Sequence, residues 1–112
     1  MMNDFIGYLT GQIEAGRKDI AALEKEGRKD DADFVKVRVN IYDICKTVTN
    51  ALISRPGAGE EAVKAQFARF RTEWGAALEK AKEHDDARNI VIGETKLEAL
   101  EDVLAQFPRE EN

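Results

Sequence analysis

The sequence predicts an all-α fold: a four-helix bundle whose helices run up, down, up and down, each antiparallel to the next. Apolar residues recur at steps of three and four along four separate stretches, which is the period of a helix with one buried face. Only two prolines occur in 112 residues, and residues that favour turns cluster between the stretches. The connections between stretches of similar length are short, which favours antiparallel neighbours.

The first stretch, residues 3–28, predicts a helix with an unbroken heptad seam, meaning the row of positions that faces neighbouring helices. Asn3 or Asp4 can cap its start and Gly27 its end. Gly16 lies mid-helix, where glycine is less favourable than alanine by about 0.5–1 kcal/mol. It predicts either the close approach of another helix, which we favour, or a notch for a ligand. The seam residues are Met2, Ile6, Leu9, Ile13, Gly16, Ile20, Leu23 and Gly27.

The second stretch, residues 33–53, is the most apolar part of the chain, and we expect more than one neighbour to cover it. We expect Asp31 or Asp33 to cap its start. Residues 34–41 alone alternate as a β-strand does, which would make the protein α+β. The helical spacing continues two turns beyond Ile41, and a lone strand would lack a partner, so we interpret the segment as helix. The helical stripe consists of Phe34, Val37, Ile41, Ile44, Val48 and Ala51.

Two more helices follow the break at residues 55–59, where proline and glycine interrupt the pattern. The third begins at Glu60, and its seam is Val63, Phe67, Phe70, Trp74, Ala77, Ala81 and His84. The fourth follows a new frame, Ile90, Gly93, Leu97, Leu100, Leu104 and Phe107, and ends at Pro108.

The change of frame after His84 has two explanations. One is a tight turn at residues 83–86 capped by Asp85 or Asp86, which we favour; the other is one long helix with a stutter. A long helix would leave a bundle that must dimerise to cover its stripe. In either case we expect one domain, residues 1–108, and a polar tail, residues 109–112.

The charge distribution narrows the classes of partner. The formal net charge is −5, and the excess of acid lies in residues 57–112. No segment is net basic, so we expect no nucleic-acid partner. No apolar run is long enough to cross a bilayer and the first residues do not have the pattern of a leader, so we expect no membrane association and a cytoplasmic location.

The residues that could carry catalysis or bind metal are few. Cys45 and His84 are the only cysteine and the only histidine. A di-iron bundle needs Glu-x-x-His pairs on two helices, and a nucleophilic Cys45 would need His84 as its base. Gly57 and Gly59 lack the lysine and the preceding strand of a phosphate-binding loop. We therefore predict a protein without catalytic residues, metal or cofactor.

The functional hypothesis that the sequence favours is a module for protein–protein interaction or self-association, such as a homodimer. The second helix carries more apolar surface than the inside of one bundle requires, and its candidate interface residues are Val35, Val39, Tyr42 and Ile53. The alternative is a carrier of a small apolar ligand, with a pocket inside the bundle lined by Gly16, Ala77, Ala81 and Gly93.

An acidic row on the fourth helix is a third candidate surface. Its members are Glu94, Glu98, Glu101 and Asp102. Such a row is usually a solvated face, which we favour here, but it could also dock a basic partner or bind a cation weakly.

Overall fold

The computed structural model describes residues 2–57 and 59–108, so the predicted tail lies outside the described residues. Within them the chain forms four helices: α1 (Met2–Lys25), α2 (Lys29–Ile53), α3 (Gly59–Glu83) and α4 (Ala87–Gln106). The predicted all-α four-helix bundle is confirmed. Residues 34–41 lie inside α2, so their alternation does not mark a strand.

The two tight connections, α1 to α2 and α3 to α4, have the same backbone geometry. In each, a residue with positive φ follows the helix: Gly27 at φ 76° and Asp85 at φ 50°. The amide of the next residue then donates to a carbonyl five positions back, Arg28 to Leu23 at 2.8 Å and Asp86 to Ala81 at 3.0 Å. This pattern satisfies the last carbonyls of a helix and reverses the chain. The turn predicted at residues 83–86 is therefore confirmed, and the described residues form two helical hairpins.

The starts of α2 and α4 differ in their capping. The side chain of Asp86 accepts a hydrogen bond from the backbone amide of Asn89 at 3.2 Å, so Asp86 caps α4 as expected. The cap position of α2 is Arg28, which makes no side-chain capping bond. The expectation that Asp31 or Asp33 caps α2 was wrong, because the hairpin turn starts the helix at Lys29.

The core lies where four half-helices meet. It is built from residues that are at most 5% exposed: Phe5, Leu9, Ile13, Ile41, Tyr42, Cys45, Val63, Phe67, Ala99, Leu100 and Val103. They come from the first half of α1, the second half of α2, the first half of α3 and the second half of α4. Edge-to-face contacts between Phe107 and both Phe5 and Phe67, at 5.1 and 5.9 Å, join α4 to α1 and α3.

Helix α2 packs against all three other helices, as its broad apolar surface predicts, whereas α1 and α4 touch only slightly. Four parallel helices packed two by two, with axes 8–10 Å apart, would span about 20 Å across. The molecule measures 45 × 35 × 24 Å, so its second dimension, 35 Å, is far larger than the width of such a bundle. The two hairpins therefore diverge away from the core that they share.

The divergence changes what α3 buries. The first half of its predicted seam is covered, with Val63 and Phe67 fully buried. In the second half, Leu78 is buried and the predicted seam residue Ala77 is exposed. His84, predicted as the last seam position, is also exposed. Leu78 is buried because it faces α4, whereas no other described helix covers Ala77 and His84.

No helix in the described parts of the chain is both long enough and apolar enough to span a bilayer.

Candidate functional site

A half-open cleft lies on the α3–α4 hairpin, beyond the point where α1 and α2 cover it. Its volume is about 330 Å³. On α3 and on α4 alike, the lining continues the row of positions that forms the core farther along that helix. These residues are Trp74, Ala77, Leu78, Lys80, Ala81, His84, Asp86, Asn89, Ile92, Gly93 and Lys96.

The floor of the cleft is formed by small side chains where α3 and α4 approach closely. A Cβ atom built on Gly93 would lie 3.1 Å from Cδ1 of Leu78 and 3.2 Å from its Cβ, so only glycine fits there without displacing Leu78. Ala77 and Ala81 add only methyl groups to the neighbouring surface. Small residues at successive seam positions leave a depression that a larger side chain could fill.

An aromatic wall closes one end of the cleft. Trp74 stacks on Phe70 with ring centroids 4.9 Å apart and planes 3° from parallel. Phe70 in turn stacks on the buried Phe67 at 6.4 Å. The stack that runs from Phe67 through Phe70 thus holds Trp74 in place, and the ring of Trp74 is half-buried at the mouth of the cleft.

The rim of the cleft is polar and carries two lysines. Asp86 is already engaged, because its carboxylate accepts hydrogen bonds from the backbone amide and the Nδ2 of Asn89, at 3.2 and 2.6 Å. Lys80 and Lys96 form no ion pair with any residue in the described ranges. Counting His84 as neutral, the two positive lysines and the negative Asp86 give the lining a formal charge of +1, whereas the whole chain has a formal net charge of −5.

Three of the four residues predicted to line a cavity meet in this cleft. Ala77, Ala81 and Gly93 are brought together, but Gly16 lies elsewhere, on α1. A Cβ on Gly16 would overlap Cγ2 of Val39, so the space at Gly16 is filled by α2. The cleft is also on the surface of one hairpin rather than inside the bundle.

The four candidate interface residues do not form one patch. Val39 packs into the Gly16 notch, and Val35 lies beside it. Ile53 is half-buried against the core. Tyr42 is 3% exposed, packs edge-to-face with Tyr8 and accepts a 2.8 Å hydrogen bond from Arg38. The chain's own core encloses Tyr42, so a partner cannot reach its side chain in this conformation.

The acidic row is exposed and lies around a shallow groove floored by Leu78 and Leu97. Three of its carboxylates pair within the chain: Asp102 and Glu98 with Arg38, at 2.9 and 3.8 Å, and Glu101 with Arg71, at 2.8 Å. These pairs link α4 to α2 and to α3. They give the row a structural role and reduce the negative field that a basic partner would meet.

The candidate catalytic residues lie apart. Cys45 is fully buried in the core, and this burial raises the pKa of its thiol to about 12, far from the range of a nucleophilic thiolate. His84 is exposed at the rim of the cleft. Among the described residues, no three or more His, Cys, Asp or Glu side chains are grouped so that they could hold a metal ion.

Comparison of the chain with models of protein families, with curated proteins and with solved structures gives no match.

Sequence reasoning predicted three of the eleven lining residues and missed the others, among them Trp74, Lys80 and Lys96. The sequence predicts Trp74 only as a position of the third seam, and it gives Lys80 and Lys96 no role. The signal that was present is the seam itself, which continues through Ala77, Ala81 and His84 with residues too small or too polar to fill a core. A seam of that composition indicates a surface that another chain or a ligand could complete.

Proposed function

We propose that the protein is a non-enzymatic interaction module whose α3–α4 cleft receives an amphipathic helix from another chain. The observation that supports the proposal is the uncovered half of the α3–α4 seam. Its heptad spacing is the spacing at which helices pack on one another, and it continues about two turns beyond the core.

The shape of the cleft favours a helix as its occupant. Recognition of a helix in a groove uses large apolar side chains at steps of three and four, which enter depressions between the two helices of the receptor. The small side chains of Ala77, Ala81 and Gly93 provide such depressions. Trp74 offers the kind of half-buried aromatic surface that often contributes most to binding energy.

Trp74 also makes the proposal testable, because it is the only tryptophan in the chain. Amphipathic helical peptides without tryptophan can be selected from a displayed library and titrated against the protein while Trp74 emission is recorded. We expect selected peptides to shift the emission, and we expect Ala77→Arg, which places a long side chain on the cleft floor, to abolish their binding. The matched control is Ala76→Arg, at an exposed position outside the lining.

Two results would contradict the proposal: selected peptides that leave Trp74 emission unchanged, or peptides that bind the wild type and Ala77→Arg equally. Self-association is a separate outcome, detected by light scattering. If the protein dimerises and Ala77→Arg alone restores a monomer, a second copy is the occupant.

A carrier of a small apolar ligand is the second candidate, and the volume of the cleft favours it. Small-ligand sites measure about 300–1,000 Å³, and a cleft of about 330 Å³ falls at the lower end of that range. Unbranched alcohols of increasing length, titrated against Trp74 emission, would test it. Saturable binding that tightens with chain length and is lost in Ala77→Arg would support a carrier, and the absence of saturation would eliminate it.

A further inference from the structure

We infer that the helix accepted by the cleft is acidic, with carboxylates flanking its apolar row so that they reach Lys80 and Lys96. The inference rests on the proposed function and names the chemistry of the partner. In this arrangement a large apolar side chain lies over Ala77, Ala81 and Gly93, and the two lysines bind the partner's flanks from opposite helices.

The charges at the cleft support this choice of partner. Lys80 is on α3 and Lys96 on α4, so they flank the floor from both sides. Lys96 is half-buried beside the apolar lining and has no ion-pair partner among the described residues. A charge that is partly removed from water gains more from an opposite charge than an exposed one does. The charged side chains that line the cleft are therefore net positive, although the protein as a whole is acidic.

The same charges argue against a symmetric dimer formed cleft to cleft. A two-fold axis through the cleft would bring Lys80 and Lys96 of both copies, four lysines in all, into one small interface. Like charges across an interface are unfavourable.

A second copy could instead offer its acidic row to the cleft. Three of the four carboxylates in that row are already paired with Arg38 and Arg71. An acidic helix from a different protein meets neither obstacle.

The test uses two synthetic helical peptides with the same leucine row and no tryptophan. One carries glutamates on both flanks of the row and the other carries lysines at the same positions. With Trp74 emission as the readout, we expect the glutamate peptide to bind at least about tenfold more tightly at low salt, a preference that shrinks as salt screens the charges. Decanoate is titrated in parallel, because it carries a carboxylate on an apolar body without being a helix.

The variants Lys80→Glu and Lys96→Glu should each reduce or reverse the preference for the glutamate peptide. Lys64→Glu is the matched control, since it makes the same change of charge at an exposed position of α3 outside the cleft. We expect Lys64→Glu to keep most of the preference. An equal loss in all three variants would mean that net charge alone determines binding, and the inference would be wrong.

The remaining outcomes separate the two proposals. If both peptides bind through the cleft with equal affinity, the acidic partner is refuted and the helix-binding function stands. If neither peptide binds, the helix-binding function fails together with the inference. Decanoate that binds more tightly than the glutamate peptide would overturn the helix as occupant, and a dimer that Ala77→Arg dissociates would overturn the foreign partner.

Discussion

Replacing Gly16 with alanine separates the two effects that a mid-helix glycine can have. Alanine favours the helix over glycine by about 1 kcal/mol wherever the methyl group meets open space. At Gly16 the new Cβ would overlap Cγ2 of Val39, whose Cβ would lie 3.7 Å away. Valine in a helix has one strongly preferred rotamer, so its methyl group cannot turn aside cheaply. Overpacking of this kind costs about 1–3 kcal/mol.

Gly11 provides the matched control. It is exposed on the same helix, and a Cβ there would meet nothing within 4 Å. The intrinsic gain is common to both substitutions, so the difference in their effects on the free energy of unfolding isolates the overlap with Val39. We expect Gly11→Ala to stabilise the protein by about 1 kcal/mol. We expect Gly16→Ala to be less stable than Gly11→Ala by about 1–3 kcal/mol.

Urea unfolding followed by circular dichroism at 222 nm measures both free energies. The double variant Gly16→Ala/Val39→Ala provides a further check, since the overlap disappears when Val39 is truncated. In the Val39→Ala background, Gly16→Ala should recover most of the intrinsic gain, which appears as a coupling energy between the two sites. Equal stabilisation by Gly11→Ala and Gly16→Ala would refute the close approach of α1 and α2 at this point.

Three further predictions concern the interior. Arg38→Ala should destabilise the protein by about 1–3 kcal/mol, because it removes the donor to the buried Tyr42 hydroxyl. Asp102→Ala, which breaks only the exposed half of that network, should cost about 1 kcal/mol or less in the same urea assay. Burial, as the largest cause, and the neighbouring Tyr42, as the next, raise the pKa of Tyr8 from 10.0 to about 12. The unfolded chain therefore loses this proton at a lower pH than the folded chain. Stability should therefore fall between pH 10 and pH 12, less steeply in Tyr8→Phe, and an unchanged slope in that variant would contradict the assignment. Iodoacetamide at pH 8 should modify Cys45 much more slowly in the native protein than in urea, because the thiol is buried with a pKa of about 12. Mass spectrometry can measure both rates, and equal rates would indicate an exposed thiol.

The helices themselves could be predicted because their evidence is local. The three-and-four spacing in residues 33–53 outweighed a strand-like alternation of eight residues, and α2 is a helix throughout that range. The turn at Asp85 and Asp86 was also readable, because the frame of apolar residues changes there. The start of α2 could not be predicted, because Asp31 and Asp33 resemble capping residues. The backbone hydrogen bond from the amide of Arg28 to the carbonyl of Leu23 determines where the helix begins.

The docking of the two hairpins could not be predicted, because the contacts that determine it are distant in sequence. Among the described residues, the ion pairs that join the hairpins are those from Arg38 to Glu98 and Asp102, 60 or more positions away. Heptad spacing shows which face of a helix is apolar but not which helix covers it. The sequence therefore predicts Tyr42 at an interface although it is buried, and Ala77 at a seam position inside the bundle although it is exposed.

A pair of alanines can test whether the second half of the α3 seam is open in solution. Ala99 is fully buried in the core, so Ala99→Leu should destabilise the protein by about 1–3 kcal/mol through overpacking. Ala77 is exposed on the cleft floor, where a leucine has room, so Ala77→Leu should change the free energy of unfolding by no more than about 0.5 kcal/mol. In a bundle closed along its whole length, both positions would be interior and both leucines would be costly. Urea unfolding that shows the same loss for Ala77→Leu as for Ala99→Leu would mean that the cleft is closed, and the proposed binding site would not exist.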